Sequence, residues 1–203
     1  MKKTEVYFNK PVYDGQAILD LSKTLMFDFH YNFIQKKYKH KAELLFTDTD
    51  SLMYHIKTDN FYKDTSYDIL TKFDTSDYPP DHPSGIPTRV NKKVIGMFKD
   101  EVAGKQITCF VGLRPKLYSF RIEEDKEVRK CKGIKKNVVK KKLDFDDYVQ
   151  CLFLGKKQMS RKMKIIRKEN HDIYSKEVNK IALSNEDDKR EVLLGKVKTI
   201  ALR

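Results

Sequence analysis

Apolar side chains recur every three or four positions near the start of the chain, which is the spacing of an amphipathic helix. The pattern predicts a helix from about Gly15 to Tyr38, with Asp14 as its capping residue and an extended segment before it at residues 5–13. The apolar stripe is wide, as in a helix that packs on a sheet, so we interpret it as ordinary core. It consists of Ile18, Leu21, Leu25, Met26, Phe29 and Phe33.

The middle of the chain has the shorter apolar runs that are typical of strands. Ala42–Phe46 predicts a buried strand, and Ser51–Ile56 alternates as a half-buried strand does. A short helix over Tyr62–Phe73 and a proline-rich surface loop over Asp74–Arg89 are predicted to follow. Further strands are predicted at Lys93–Phe98, Gln106–Val111 and Lys116–Ile122. Together with the first pair they are expected to form one antiparallel sheet.

The last part of the chain predicts a second, smaller region. Asp144 or a nearby residue is expected to cap a helix over Phe145–Leu154. From Met159 onward, charged and apolar residues alternate and predict strands and turns. With a boundary near Ile122–Lys130, the sequence predicts an α+β protein. An antiparallel sheet with packed helices occupies residues 1–125, and a basic region occupies residues 126–203.

Positive charge is concentrated in that second region. The 203 residues carry 42 Lys and Arg against 29 Asp and Glu, a net charge of +13. Residues 126–170 hold 16 Lys and Arg against 5 Asp and Glu, a net charge of +11, so most of the excess lies in one segment. Such a block is typical of a surface that binds a polyanion. The alternative is a solvated face with no partner.

Several classes of protein are disfavoured by composition. No stretch approaches the roughly 20 apolar residues of a membrane span, and Met1–Lys3 leads into a polar segment without the apolar core of a secretory signal. The three cysteines, Cys109, Cys131 and Cys151, are widely spaced and favour neither a disulfide framework nor a zinc site. We therefore expect an intracellular protein that is neither secreted nor embedded in a membrane.

Asp48 and Asp50 are expected at the tip of a hairpin, between the two strands predicted first. Side chains two residues apart can point the same way there, and adjacent carboxylates repel unless a cation lies between them. Mg²⁺ is the natural partner, and a pair of such ions about 4 Å apart supports phosphoryl transfer. The alternative is that both are ordinary turn residues.

A second candidate site is the Lys116-Leu117-Tyr118 strand. Lys116 and Tyr118 should project from one face of it, where a cation and an aromatic hydroxyl suit a sugar-phosphate backbone. Arg114 is a weaker neighbour with the same role. Because Lys-x-Tyr is common, the pair by itself is more often structural.

These motifs together resemble a known family. The run Thr47–Ser51 between two apolar strands is similar to the acidic palm motif of family B DNA polymerases, although Phe46-Thr47 replaces the usual Tyr-Gly. That departure resembles the protein-primed viral branch and the transposon-borne Polinton/Maverick branch. The resemblance extends over most of the chain through the runs 10–13, 18–23, 26–31, 73–79 and 91–101.

The resemblance implies the palm and thumb of an enzyme that performs DNA-directed nucleotidyl transfer in DNA replication. It implies Asp50 as the main magnesium ligand, with Asp48 as its companion, and it places Lys116 and Tyr118 on the primer strand. The partners would be a primer-template duplex and a deoxynucleoside triphosphate, in the nucleus or at a viral replication site. The basic region at residues 126–203 would be the thumb that binds the duplex, with contacts from Lys132, Lys135 and Lys136 among others.

In that family, a further carboxylate and a fingers lysine precede the counterpart of Lys10. We therefore expect an incomplete two-metal site in this chain, no activity of the chain alone, and an N-terminal polymerase half as a partner. The alternative function is a non-catalytic, sequence-independent DNA-binding module derived from a polymerase. A small basic structural protein such as a ribosomal component is a third alternative, in which the acidic tip has no role.

Overall fold

A computed structural model describes residues 9–123, 126–153, 158–185, 190–192 and 199–201. The chain forms two compact units, Met1–Lys99 and Asp100–Arg203. Helices pack beside antiparallel sheets, so the predicted α+β class is confirmed. The prediction of one sheet is wrong, because the strands form several separate small sheets of two or three strands.

The first unit begins with a long helix and continues with a hairpin and short elements. Its helices are α1 (Val12–Asp28), a π-helical continuation (Phe29–Gln35), α2 (Lys36–Tyr38), a 3-10 turn (Lys39–Lys41), α3 (Phe61–Thr65), a second 3-10 turn (Ser66–Asp68) and α4 (Ile69–Lys72). Its strands are β1 (Ala42–Asp48), β2 (Ser51–Ile56), β3 (Phe73–Asp74) and β4 (Phe98–Lys99). β1 and β2 are antiparallel, and β3 and β4 form a short parallel pair.

The predicted first helix is present but differs at its start. It begins at Val12, and Asp14 is inside the helix rather than at its cap. The predicted extended segment is therefore wrong where it reaches Val12, and most of it lies outside the described residues. The interpretation of the whole stripe as core is also wrong, because Ile18 and Leu21 are 66% and 71% exposed.

The core of the first unit is aromatic and starts where α1 becomes π-helical. Phe29 stacks on Phe98 with ring centroids 3.9 Å apart, and Phe73 meets Phe29 edge to face at 5.9 Å. Residues Phe33, Ile34, Tyr38 and Ala42 complete the buried cluster. Full burial of each large apolar side chain stabilises the fold by about 1.5–3 kcal/mol. This cluster therefore fixes the second half of the long helix against β1 and β2.

The predicted loop over Asp74–Arg89 is confirmed, whereas the predicted strand Lys93–Phe98 is wrong except at Phe98. Buried Asp74 organises this segment by accepting hydrogen bonds from the backbone amides of Ser76 at 2.8 Å and Lys93 at 3.2 Å. Asn91 donates to three carbonyl oxygens, of Ile69, Leu70 and Phe73. Side chains, rather than a sheet, therefore satisfy the backbone here.

The second unit contains a three-stranded sheet, two helices and a long hairpin. Its strands are β5 (Ile107–Arg114), β6 (Leu117–Ile122), β7 (Lys126–Cys131), β8 (Gln158–Glu169), β9 (Asp172–Ser184), β10 (Arg190–Val192) and β11 (Thr199–Ala201). Its helices are α5 (Lys136–Lys142) and α6 (Phe145–Phe153). The sheet order is β5-β6-β7, and β8 pairs with β9.

Helix α6 lies on the sheet and carries the core of the second unit. Asp144 and Asp147 cap it reciprocally, since each accepts a hydrogen bond from the other's backbone amide. The prediction of this cap and of the helix is confirmed. Tyr148 and Cys151 on α6 are fully buried in a cluster with Val111, Leu117, Val139, Leu143, Phe145, Met159, Ala182 and Leu183. Helix α5 is absent from the sequence prediction.

The hairpin of β8 and β9 confirms the predicted alternation from Met159 onward. Asn170 and His171 form its two-residue turn with φ of 45° and 74°, the left-handed pair of a type I′ turn. Near the sheet the hairpin is anchored by buried Met159, Met163 and Leu183. From Lys164 outward most side chains are exposed, over about 20 Å of strand.

The compact units divide at Lys99, whereas the sequence prediction divides function at residue 125. Strand β6 before residue 125 pairs along its whole length with β7 after it. The Lys-x-Tyr segment and the basic region therefore share one sheet. Among the helices of the described residues, none is long and apolar enough to cross a membrane.

Candidate nucleic-acid interface

The acidic run lies at the tip of a hairpin, as predicted. Asp48 pairs with Ser51, and Thr49 and Asp50 form the two-residue turn between β1 and β2. The amide of Asp50 and the hydroxyl of Ser51 both donate to the carbonyl of Asp48, at 2.7 Å and 3.2 Å. Thr49 has a φ of 60°, which a β-branched residue adopts only under strain. These contacts hold the two carboxylates one residue apart on a tight turn.

The surroundings of the tip are more open than the sequence predicts. Asp48 is half-buried and Asp50 is exposed. The prediction of a buried first strand is wrong, because Leu44 is 37% exposed. A cleft lies beside the tip and is lined mainly by apolar side chains, those of Met26, Phe27, His30, Tyr31, Leu44, Thr47 and Leu52.

His30 joins this cleft to the second strand. Its Nδ1 lies 2.9 Å from the hydroxyl of Tyr54, and the two rings stack with centroids 5.8 Å apart. Burial raises the pKa of Tyr54 to about 12, so the phenol stays protonated at neutral pH. The pair adds no negative charge beside the acidic tip.

The donor chemistry of the tip suits a hard divalent cation. Two carboxylates on one turn are the oxygen ligands that Mg²⁺ prefers, and such an ion would take Asp50 and Asp48 as ligands. A bound metal would supply charge stabilisation to a phosphoryl group. Within the described part of the chain, no group of three or more His, Cys, Asp or Glu side chains is placed to hold a metal.

Lys116 occupies a turn and not the strand that the sequence predicts. Arg114 pairs with Leu117, so Pro115 and Lys116 form a two-residue turn between β5 and β6. Lys116 has a φ of 61°, the value of the third residue of a type II turn, where glycine is usual. A lysine in this conformation costs roughly 1 kcal/mol. The turn holds the exposed Lys116 at the end of the sheet.

Tyr118 is buried, at 8% exposure, whereas Lys116 is exposed. The ring of Tyr118 stacks on Phe120 with centroids 6.4 Å apart and is tilted against Phe110 at a centroid distance of 6.2 Å. The prediction that both residues project from one strand is wrong for Lys116, since that residue lies in the turn. The predicted contact of Tyr118 with a primer strand stays a prediction.

The structure brings Lys116 close to the start of the basic region. The backbone amide of Lys132 donates to the carbonyl of Lys116 at 3.2 Å, directly beyond the pairing of Leu117 with Cys131. A turn at Gly133, with a φ of 93°, then leads into α5. Five cationic residues therefore lie near one end of the sheet, which we call the basic end: Arg114, Lys116, Lys132, Lys135 and Lys136.

Two arginines of the second unit form ion pairs within the fold. Arg121 pairs with Glu127 and Asp146, both at 3.1 Å. Arg161 donates to Asp147 at 2.9 Å and to the carbonyl of Lys142 at 2.8 Å. Arg161 belongs to the basic block of residues 126–170 that the sequence predicts to face DNA, but these bonds give it a role in the fold. Sequence alone does not identify this role, because the partners of Arg161 lie on other elements of the fold.

The lysines of the same region are exposed. They are Lys126, Lys130, Lys132, Lys135, Lys136, Lys140, Lys141 and Lys142. Burial raises the pKa of the nearby Cys131 thiol to about 11, although Arg114 lowers it slightly, so the thiol is neutral at pH 7. No thiolate therefore offsets the positive charge of the basic end.

No protein-family model, no curated protein and no solved structure matches this chain. The resemblance to family B polymerases therefore stays a prediction.

Proposed function

We propose that this chain binds duplex DNA through its second unit, as the palm and thumb portion of a polymerase related to family B. The observation that carries the proposal is the set of exposed lysines at the basic end and along α5. Arg121 and Arg161 bind carboxylates of their own unit, while the lysines of the basic end and of α5 are exposed. Lysine is a mobile point charge that contacts phosphates without reading bases.

Sequence-independent binding follows from that chemistry. Phosphate contacts by lysines release counterions, so the affinity should fall steeply as salt increases. The sheet and α5 hold Lys116, Lys132 and Lys136 at one end of a rigid element, which suits a surface that follows a backbone. The long hairpin carries further lysines on the same unit.

Fluorescence anisotropy with labelled DNA duplexes of unrelated sequence tests this proposal. The parent chain should bind them with similar affinity, and the salt slope should report several phosphate contacts. Replacing Lys132, Lys135 and Lys136 with Gln should weaken binding about tenfold or more and reduce the slope by about 2–3. Equal binding by this triple variant and by the parent would refute the assignment.

A matched control keeps the same loss of charge but moves it to the first unit. Lys10, Lys36 and Lys63 are exposed there. Their replacement with Gln also removes three positive charges from the chain. If binding depended only on net charge, both triple variants would lose affinity equally, and the basic end would have no special role.

The acidic tip has a catalytic role within the same proposal. Asp50 and Asp48 would bind Mg²⁺ and take part in template-directed nucleotidyl transfer from a deoxynucleoside triphosphate. Two carboxylates leave the coordination of two ions incomplete, so the chain alone is expected to be inactive. An N-terminal polymerase segment would supply the other ligands.

Primer extension with Mg²⁺ and all four deoxynucleoside triphosphates tests the incomplete site. We expect no extension by the chain alone, and clear extension would overturn that view. The second candidate is a non-catalytic DNA-binding module, which the exposure of Asp50 favours. For the module, Asp50→Asn would leave every Mg²⁺-dependent property unchanged, whereas the polymerase portion would lose Mg²⁺ binding.

A further inference from the structure

The outer half of the β8–β9 hairpin has two distinct faces. Cross-strand partners lie on the same face of a two-stranded ribbon, and the register assigns each side chain to one of them. One face, which we call the lysine face, carries Lys162, Lys164, Ile166, Lys168, Ile173, Ser175, Glu177 and Asn179. The two carboxylates nearest the tip, Glu169 and Asp172, pair with each other and lie on the opposite face.

The lysine face ends in two exposed isoleucines. Ile166 is 73% exposed and Ile173 is 72% exposed. Ile166 lies opposite Ser175 and Ile173 lies opposite Lys168, which makes the two isoleucines diagonal neighbours. Two such side chains next to one another form a small exposed apolar patch near the end of the hairpin, which a partner can cover.

The charges around these isoleucines indicate what covers them. Lys162, Lys164 and Lys168 are exposed, and among the described residues none of them has a carboxylate within 4.0 Å. Three lysines on one face attract a polyanion, and duplex DNA has phosphates at regular spacing to pair with them. A two-stranded ribbon also has the dimensions to enter a groove of the duplex.

We propose that the tip of this hairpin lies in a groove of duplex DNA and inserts Ile166 and Ile173 between base pairs. Aliphatic side chains cannot replace the hydrogen bonds that water gives to base edges, but they fit well against the apolar faces of unstacked bases. The lysines on either side contact the phosphates that flank the opened step. This inference rests on the duplex binding proposed above.

The experiment uses the whole chain and a DNA duplex that carries 2-aminopurine, whose fluorescence increases when the base is unstacked. Energy transfer between dyes at the duplex ends reports bending in the same samples. The parent chain should increase the fluorescence and shorten the distance between the ends. The double variant Ile166→Thr with Ile173→Thr should still bind and lose both effects, because threonine keeps the β-branched shape but is polar.

Ile181→Thr is the matched control. Ile181 is on the same strand and face as Ile173 but lies about 26 Å closer to the sheet, so its loss should change neither readout. Circular dichroism should show that both variants keep the fold of the parent, since Ile166, Ile173 and Ile181 are all exposed.

The outcomes separate the two proposals. Binding of the duplex without a fluorescence increase would overturn the proposed insertion of Ile166 and Ile173 and leave the proposal of DNA binding intact. A fluorescence increase that survives the double substitution would assign the unstacking to other residues and also overturn it. If the parent does not bind the duplex even at low salt, both the proposed function and the proposed insertion of the two isoleucines are wrong.

Discussion

The backbone amide of Lys132 donates a hydrogen bond to the carbonyl of Lys116 at 3.2 Å, although the two residues are far apart in sequence. This bond joins the β5–β6 turn to the turn that precedes α5. It places the cation of the Lys-x-Tyr motif beside the first cations of the basic region. Both motifs belong to one surface because of this pairing.

Lys116→Gly separates a role in DNA binding from a role in the fold. The glycine relieves the strain at a φ of 61° but gains freedom in the unfolded chain, so stability should stay within about 1 kcal/mol of the parent. Duplex affinity should fall several-fold with a salt slope lower by about 1. Thermal unfolding and anisotropy check the two effects, and unchanged affinity would remove Lys116 from the interface.

Replacement of Arg161 is expected to lower stability and to leave the salt dependence of DNA binding largely unchanged. Arg161→Gln removes its bonds to Asp147 and to the carbonyl of Lys142 at a site where both side chains are mostly buried. The loss of a charged hydrogen bond there should lower the free energy of unfolding by about 1.5–3 kcal/mol. Urea unfolding measures this loss. A salt slope for DNA that falls by as much as in Lys116→Gly would contradict the structural role.

Asp74 should make the stability of the first unit depend on acid. Burial opposes its ionisation, but the hydrogen bonds from Ser76 and Lys93 and the charge of Lys99 outweigh it, and the pKa of Asp74 is lowered. The stabilisation is therefore present above the unfolded pKa of about 3.8 and is lost as pH falls through the folded pKa.

Asp74→Asn tests that linkage, because an amide keeps the size of the side chain and cannot ionise. We expect lower stability at neutral pH, by about 1–3 kcal/mol, and a weaker loss of stability on acidification. Asp81→Asn is the control, since Asp81 is exposed in the same loop. Urea unfolding across an acidic pH series should show the change for Asp74 alone; parallel curves for the parent and Asp74→Asn would contradict the linkage.

The long first helix should respond differently along its length. Ile34→Ala removes a side chain that is 1% exposed and should cost about 2–5 kcal/mol. Leu21→Ala removes one that is 71% exposed and should change stability by less than about 0.5 kcal/mol. Thermal unfolding distinguishes the two. A large loss for Leu21→Ala would mean that a partner covers this face in solution.

That helix also shows where sequence reasoning fails. Periodicity identifies the apolar face of a helix, but it does not say whether another element covers that face. The stripe is buried at Met26 and from Phe29 onward, where side chains of β2, β3 and β4 pack on the cluster, whereas Ile18 is 66% exposed. The same limit applies to β1, where an apolar run predicted burial and Leu44 is partly exposed.

Local signals were reliable where a few neighbouring residues determine the structure. The pattern of two strands around a short turn correctly predicted that Asp48 and Asp50 lie at the tip of a hairpin. Asp144 correctly predicted the start of α6. Lys116 was misplaced because the type II turn has lysine where glycine would have marked it. The structural role of Arg161 depends on Asp147 in another element, so no local pattern contains it.

The left-handed pair at Asn170 and His171 has a consequence for the order of folding. A turn of this type brings Glu169 and Asp172 together without contacts to distant residues. Each further cross-strand pair of the hairpin then closes only a small loop. We expect this arm to form early, from its tip toward the sheet, with microsecond kinetics typical of hairpins. The segment between β3 and β4 must close a long loop through Asp74 and Asn91, and should become ordered later.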